Sequence, residues 1–154
     1  MKKLAVLSLM LFAFTGCMTL PNYTYTPFVN QTLTEGQEKL AGMGDTFFEY
    51  SEGQTATEPT YIPSGTVASG IKYDLTIVEL NHEKLGLQYN EFIFQPGAQY
   101  TNYMYVLGGG GWLVKEGFNK RFDYTLADKI VRFKGYEFEI LSVENGQIKY
   151  RRVK

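Results

Sequence analysis

The 154-residue chain carries one cysteine and one histidine, and each scarcity removes a class of chemistry. A lone thiol cannot close an intramolecular disulfide, so no covalent staple holds the fold. The single histidine, His82, falls short of the three or four converging ligands of a zinc site and brings no nucleophile motif with it. It reads as a solvent-facing turn residue, and neither a metal site nor a cofactor is expected. Net charge is scarce too: 15 Lys and Arg against 16 Asp and Glu leave −1. There is no electrostatic case for nucleic acid or for an acidic partner. No apolar run is long enough to cross a bilayer. The longest, Leu4 to Ala13, makes ~15 Å of helix, half of a ~30 Å hydrocarbon core.

That short run has informative neighbours. Met1-Lys2-Lys3 precedes it as a basic region, and Phe14-Thr15-Gly16-Cys17 follows, so the segment reads as an export signal. It resembles the bacterial lipoprotein signal, in which a small-residue pair precedes a cysteine that becomes the new amino terminus and carries acyl chains. The resemblance covers residues 1–17, with Phe14 standing where leucine is usual. It implies that residues 1–16 are removed, that Cys17 is acylated, and that the mature chain is attached to a membrane. Losing two lysines leaves a mature charge of 13 − 16 = −3. Met18, where an aspartate could stand, resembles the pattern that permits export to the outer membrane in enteric-type bacteria. In a source with one membrane the address is that membrane's outer leaflet. Acylation also accounts for an unpaired cysteine in an exported chain. At ~0.8 kcal/mol per buried methylene, two or three acyl chains anchor durably where one is marginal.

The mature chain is rich in aromatics, 12 Tyr and 11 Phe with one Trp, and poor in helix-period stretches. It reads as all-β, an antiparallel small barrel or sandwich of about eight short strands, preceded by a signal-peptide helix and a flexible tether. Residues 17–41 are the expected lipid-anchored tether, rich in Thr, Asn and Pro. Alternation of Tyr23, Tyr25 and Phe28 offers an added edge strand there instead. The β domain is expected over 42–154. Tyr73, Leu75 and Ile77 alternate with polar residues as a half-buried strand. Between Leu85 and Phe94 the inward set shifts from Leu87 and Tyr89 to Phe92 and Phe94, which predicts a bulge near Asn90. Residues 51–60 read as a polar loop, and Pro63-Ser64-Gly65, Ser69-Gly70, Pro96-Gly97 and Gly108 to Gly111 as turns.

The last third is the most explicit. Lys134-Gly135 turns a hairpin that pairs Phe133 with Tyr136, Val131 with Phe138 and Arg132 with Glu137. For the next hairpin two registers compete. A two-residue Asn145-Gly146 loop pairs Val143 with Ile148 but sets Ile140 against Arg151. A three-residue loop pairs Ile140 with Tyr150, Ser142 with Ile148 and Glu139 with Arg151, keeping the apolar face whole. Exposing Phe138, Ile140, Ile148 and Tyr150 would cost about 6–12 kcal/mol, against about 0–1 for an ion pair, so the three-residue loop is expected.

Candidate sites are few, and no catalytic residue is expected. Glu137 and Glu139 lie alike on one exposed strand face, unlike an acid–base pair in contrasting environments. Gly108 to Gly111 lacks the Lys-Ser/Thr of a phosphate loop. Tyr103, Tyr105 and Trp112 are the candidate ligand surface, lining a barrel mouth. Several phrases, among them Gly44-Asp-Thr-Phe-Phe-Glu-Tyr50, Phe122-Asp-Tyr-Thr-Leu126 and Ile130-Val-Arg-Phe-Lys-Gly-Tyr-Glu-Phe-Glu-Ile140, resemble phrases in small bacterial lipoproteins of unassigned function. The expected function is a non-enzymatic structural or interaction module of the cell envelope. It would be held in the outer membrane through acylated Cys17 and face an envelope protein or glycan. The alternative is a binder of a glycan or apolar molecule through the tyrosine/tryptophan mouth.

Overall fold

The computed structural model describes residues 23–58, 62–101 and 104–154; the leader, Cys17 and Met18 lie outside the described residues. Ten strands, numbered in chain order, form two antiparallel sheets. The first runs β1 (Thr24–Gln31), β3 (Thr46–Glu58), β4 (Ile62–Leu80), β5 (Lys84–Thr101), β6 (Met104–Val114), with β7 (Lys120–Thr125) also paired to β5. The second runs β2 (Glu38–Gly42), β10 (Gln147–Arg152), β9 (Tyr136–Glu144), β8 (Ile130–Phe133). The one helical element among the described residues is a single 3-10 turn, Leu126–Asp128. The architecture is an all-β antiparallel sandwich, and neither sheet closes into a barrel.

The core follows from alternation. Phe48, Leu75, Ile77, Leu85 and Leu87 from the first sheet meet Val131, Phe138, Ile148 and Tyr150 from the second, all of them fully buried. At ~1.5–3 kcal/mol each, such side chains supply the main driving force of the fold. The sheets differ greatly in length. β4 and β5 have 19 and 18 residues, β9 only nine, or ~60 Å against ~30 Å at 3.3 Å per residue. The second sheet therefore covers one half of the first. The other half, built from β1, the second part of β3, the first part of β4, the second part of β5, and β6, continues as a single layer. Only the small side chains of Ser51 and Ala56 are buried among its described residues.

This extension corrects several expectations. The segment expected as a tether contributes two strands: β1 lies along β3 from Thr24↔Thr57 to Gln31↔Tyr50, and β2 lies along β10. Between them one side chain, Leu33, is fully buried, and Arg152 Nη1 donates to its carbonyl at 3.1 Å. A single apolar anchor between two mostly exposed strands leaves no sustained period to read. The expected polar loop over residues 51–60 is β3 as far as Glu58, and the Ser69-Gly70 turn lies inside β4. The glycines serve close approach: a Cβ on Gly53 would stand 2.0 Å from the Ser69 carbonyl oxygen, and one on Gly70 would stand 2.7 Å from that of Glu52. Pro96-Gly97 and Gly108 to Gly111 likewise fall within β5 and β6, where Pro96 pairs with Gly110 beside a bulge.

The predicted bulge near Asn90 is absent. β5 pairs with β4 residue for residue from Leu85 to Ile93, and the irregularity falls on β4 between Ile77 and Glu79. The inward set is thus Leu85, Leu87, Tyr89, Glu91 and Ile93, while Phe92 and Phe94 face the other way. The Lys134-Gly135 hairpin has the predicted pairs, with φ of 46° and 88° at its two turn residues. In the next hairpin the loop is the two-residue Asn145-Gly146 turn with Val143↔Ile148, not the three-residue loop. Ile140↔Tyr150 and Glu139↔Arg151 nevertheless pair, because the register shifts opposite Lys149 and Tyr150. Leu141 is the unpaired extra residue. A bulge satisfies both the turn preference and the apolar face, a solution that neither simple register contains.

Candidate functional site

Tyr103 lies outside the described residues, and of Tyr105 the backbone pairs with Tyr100. Trp112 pairs with Phe94 and meets its ring edge-to-face at 5.3 Å. Its ring also crowds Gly70, where a Cβ would come 2.9 Å from Cη2. This half-buried tryptophan fills the space left by a glycine, a device that stiffens open sheets. With no barrel closed, the expected barrel mouth has no counterpart.

A different surface stands out. Ile71 lies two residues from buried Tyr73 on the same face of β4, and the registers carry that face across the sheet. Val29 pairs with Glu52, Glu52 with Ile71, Ile71 with Ile93, and Ile93 with Leu113. This row lies on the core side of the first sheet but just past the edge of the second, so nothing of the described chain covers it. Val29, Ile71, Ile93 and Leu113 are 62%, 41%, 44% and 48% exposed, and Tyr25, on the same face of β1, is 51% exposed. A depression of about 570 Å³ at the two apposed glycines, Gly53 and Gly70, is lined also by Pro27, Phe28, Val29, Glu52, Gln54 and Ile71.

The chain's charge is divided along the same line. Residues 18–34, 53–57, 59–71 and 92–114 contain no Asp, Glu, Lys or Arg. Glu52 and Glu58 are the charged residues of the extension, and Glu52 accepts a hydrogen bond from the Tyr50 hydroxyl at 2.7 Å. The two-layered body carries the rest. Its outer faces hold ion pairs such as Arg132–Glu137 at 3.1 Å and Arg151–Glu139 at 2.6 Å, the ladder expected from the hairpin registers. These charge-free stretches were present in the sequence, but they gain meaning only when five strands bring them together.

Where the body meets the extension, a rim of tyrosines closes the core. Tyr50 stacks on Tyr73 at 5.1 Å, and Lys134 sets its ammonium 4.3 Å above the Tyr73 ring while donating to the Tyr89 hydroxyl at 2.8 Å. Tyr89 in turn donates to Glu91 at 2.6 Å, and Lys115 pairs with Glu91 at 2.7 Å. The Lys115 and Tyr89 hydrogen bonds hold the Glu91 carboxyl below its ordinary range. The bond to Glu52 pushes the Tyr50 phenol up to about 12, and burial raises Tyr73 and Tyr89 as well. These phenols are neutral at physiological pH, and neither a nucleophile nor a poised base results. The rim is a structural seal.

His82 sits exposed in the β4–β5 turn, where the Asn81 side-chain oxygen accepts from the backbone N–H groups of Glu83 and Lys84 at 2.9 and 2.8 Å. No group of three or more metal-ligating side chains occurs among the described residues. Glu137 and Glu139 are tied up in the ladder. No family model, no curated protein and no solved structure matches the chain.

Proposed function

We propose that this chain is a lipid-anchored lipoprotein of a bacterial envelope, sited in the outer membrane and acting there as a non-enzymatic structural or interaction module. The observation that carries this reading is where the chain enters the fold. Thr24 pairs with Thr57, near the last residue of β3 and at the end of the first sheet away from the two-layered body. It lies seven residue steps after Cys17 (24 − 17), a reach of at most ~25 Å. Acyl chains on Cys17 would hold the uncharged end of the sheet near the bilayer. The charged body would then be directed outward, towards an envelope protein or glycan. Metabolic labelling with a fatty acid tests the anchor: label is expected on the wild type and not on Cys17→Ala, and equal labelling of both overturns it. Recovery of a saturable partner from intact envelopes by the acylated protein tests the module.

A second reading, a binder of a small apolar or glycan ligand, draws on the depression beside Gly53 and Gly70. Trp112 crowds Gly70, so its fluorescence should respond when that depression fills. A titration with envelope glycans and lipids that leaves the emission unchanged rejects this reading.

A further inference from the structure

We infer that the uncharged extension of the first sheet is itself a bilayer-docking surface, with Tyr25, Val29, Ile71, Ile93 and Leu113 seated at the headgroup–acyl boundary. The inference deepens the proposed anchoring, because it names the membrane that would hold Cys17 as the occupant of the uncovered face. Three observations converge on a bilayer. The first is the row, which sets Ile71, Ile93 and Leu113 side by side on β4, β5 and β6 and Val29 beyond Glu52 on β1, each of the four aliphatic side chains 41% or more exposed. A row of exposed apolar side chains of this kind is a candidate contact surface.

The second is the charge distribution. A protein partner rims its apolar contact with matching charges, whereas an interfacial lipid site selects against them, since a charged side chain is costly at depth. Stretches 18–34, 53–57, 59–71 and 92–114 carry no charge and much Thr, Tyr, Gln and Gly, a composition the interface tolerates. Glu52 is the one carboxylate in the row, and it is occupied by the Tyr50 hydroxyl.

The third is reach. The strand bearing Tyr25 and Val29 starts seven residues after Cys17 and at the tip of the extension, so an acylated Cys17 brings the extension, rather than the charged body, close to the lipid. A single apolar row binds weakly and reversibly alone, and joined to an acyl anchor it becomes the second signal that fixes orientation.

The test uses the full mature protein in phosphatidylcholine vesicles, with an environment-sensitive fluorophore attached in turn at Leu113→Cys, Val114→Cys and Lys149→Cys. Circular dichroism confirms that each variant is folded. The Leu113 probe should brighten several-fold, shift to the blue, be quenched by nitroxide-bearing lipid, and keep that signal at high salt. Probes at Val114, on the opposite face, and at Lys149, on the charged body, should report water. In vesicle partitioning of delipidated protein, Ile93→Asp should lower binding by about tenfold. A Leu113 probe as wet as the Lys149 probe overturns the docking surface, and so does a Leu113 signal that appears without lipid and grows with protein concentration, which identifies a second copy as the occupant. The two readings fail separately. Fatty-acid label with a wet Leu113 probe keeps the anchor and removes the docking surface. No label with a lipid-quenched Leu113 probe does the reverse.

Discussion

Tyr150 on β10 stacks on Phe47 of β3, with ring centroids 4.1 Å apart and planes 12° from parallel, and its hydroxyl donates to the Phe47 main-chain carbonyl. One side chain from the last strand thus closes both the packing and the polar accounting between the two sheets. Tyr150→Phe retains the ring and strips the buried carbonyl of its donor, a cost of about 1–3 kcal/mol. Tyr150→Ala also opens a cavity and should cost about 3–5 kcal/mol. Urea unfolding curves of the two variants separate the contributions. Equal midpoints for Tyr150→Phe and wild type would show the hydroxyl to be idle.

The two glycines of the extension call for a different test. Gly53 has no room for a Cβ, while a Cβ on Gly111 would meet nothing within 4 Å. Gly53→Ala should force β3 and β4 apart and lower stability by about 1–3 kcal/mol or more. Gly111→Ala should stay within about 0.5 kcal/mol of wild type. Hydrogen exchange would place the Gly53→Ala loss at the β3–β4 ladder, leaving the body protected.

Alkaline pH should weaken the tyrosine rim. Tyr50, Tyr73 and Tyr89 all have raised phenol pKa values in the folded chain, Tyr50 at about 12 through its bond to Glu52. The unfolded chain, with ordinary tyrosines near 10, releases these protons first. Their contribution to stability is therefore complete below about pH 10 and is lost as pH climbs towards about 12. The urea midpoint should be level on the neutral side of that window and fall within it. Phenolate absorbance of folded Tyr50→Phe should lack a step near pH 12 that the wild type shows.

How much of this was legible beforehand depended on whether a residue's local habit matched its place in the sheets. Ile130 to Arg152 could be read closely, because Lys134-Gly135 and Asn145-Gly146 mark real turns and Phe138, Ile140, Ile148 and Tyr150 all face the core. The same logic failed at Leu141, where two sound rules conflicted and the chain met both by spending one residue on a bulge. The extension was illegible for the opposite reason. Gly53, Gly70, Pro96 and Gly110 look like punctuation, yet they sit inside long strands, where they permit backbone approach or accommodate a bulge. Phe92 and Phe94 misled as well: where only one layer exists, apolar residues on either face lose their meaning as inward markers. The exposed row was hidden because its members are distant in sequence and join only through register.

The partnership of β2 with β10 has a kinetic corollary. Glu38–Gly42 finds its hydrogen-bonding neighbour more than 100 residues later, at Gln147–Arg151. Such pairings raise contact order and slow closure, since the nascent polypeptide must be finished before its early segment has anywhere to settle. Residues 38–42 thus have no partner strand until residues 147–151 have been made, and their hydrogen bonds belong to the end of the chain rather than to its beginning.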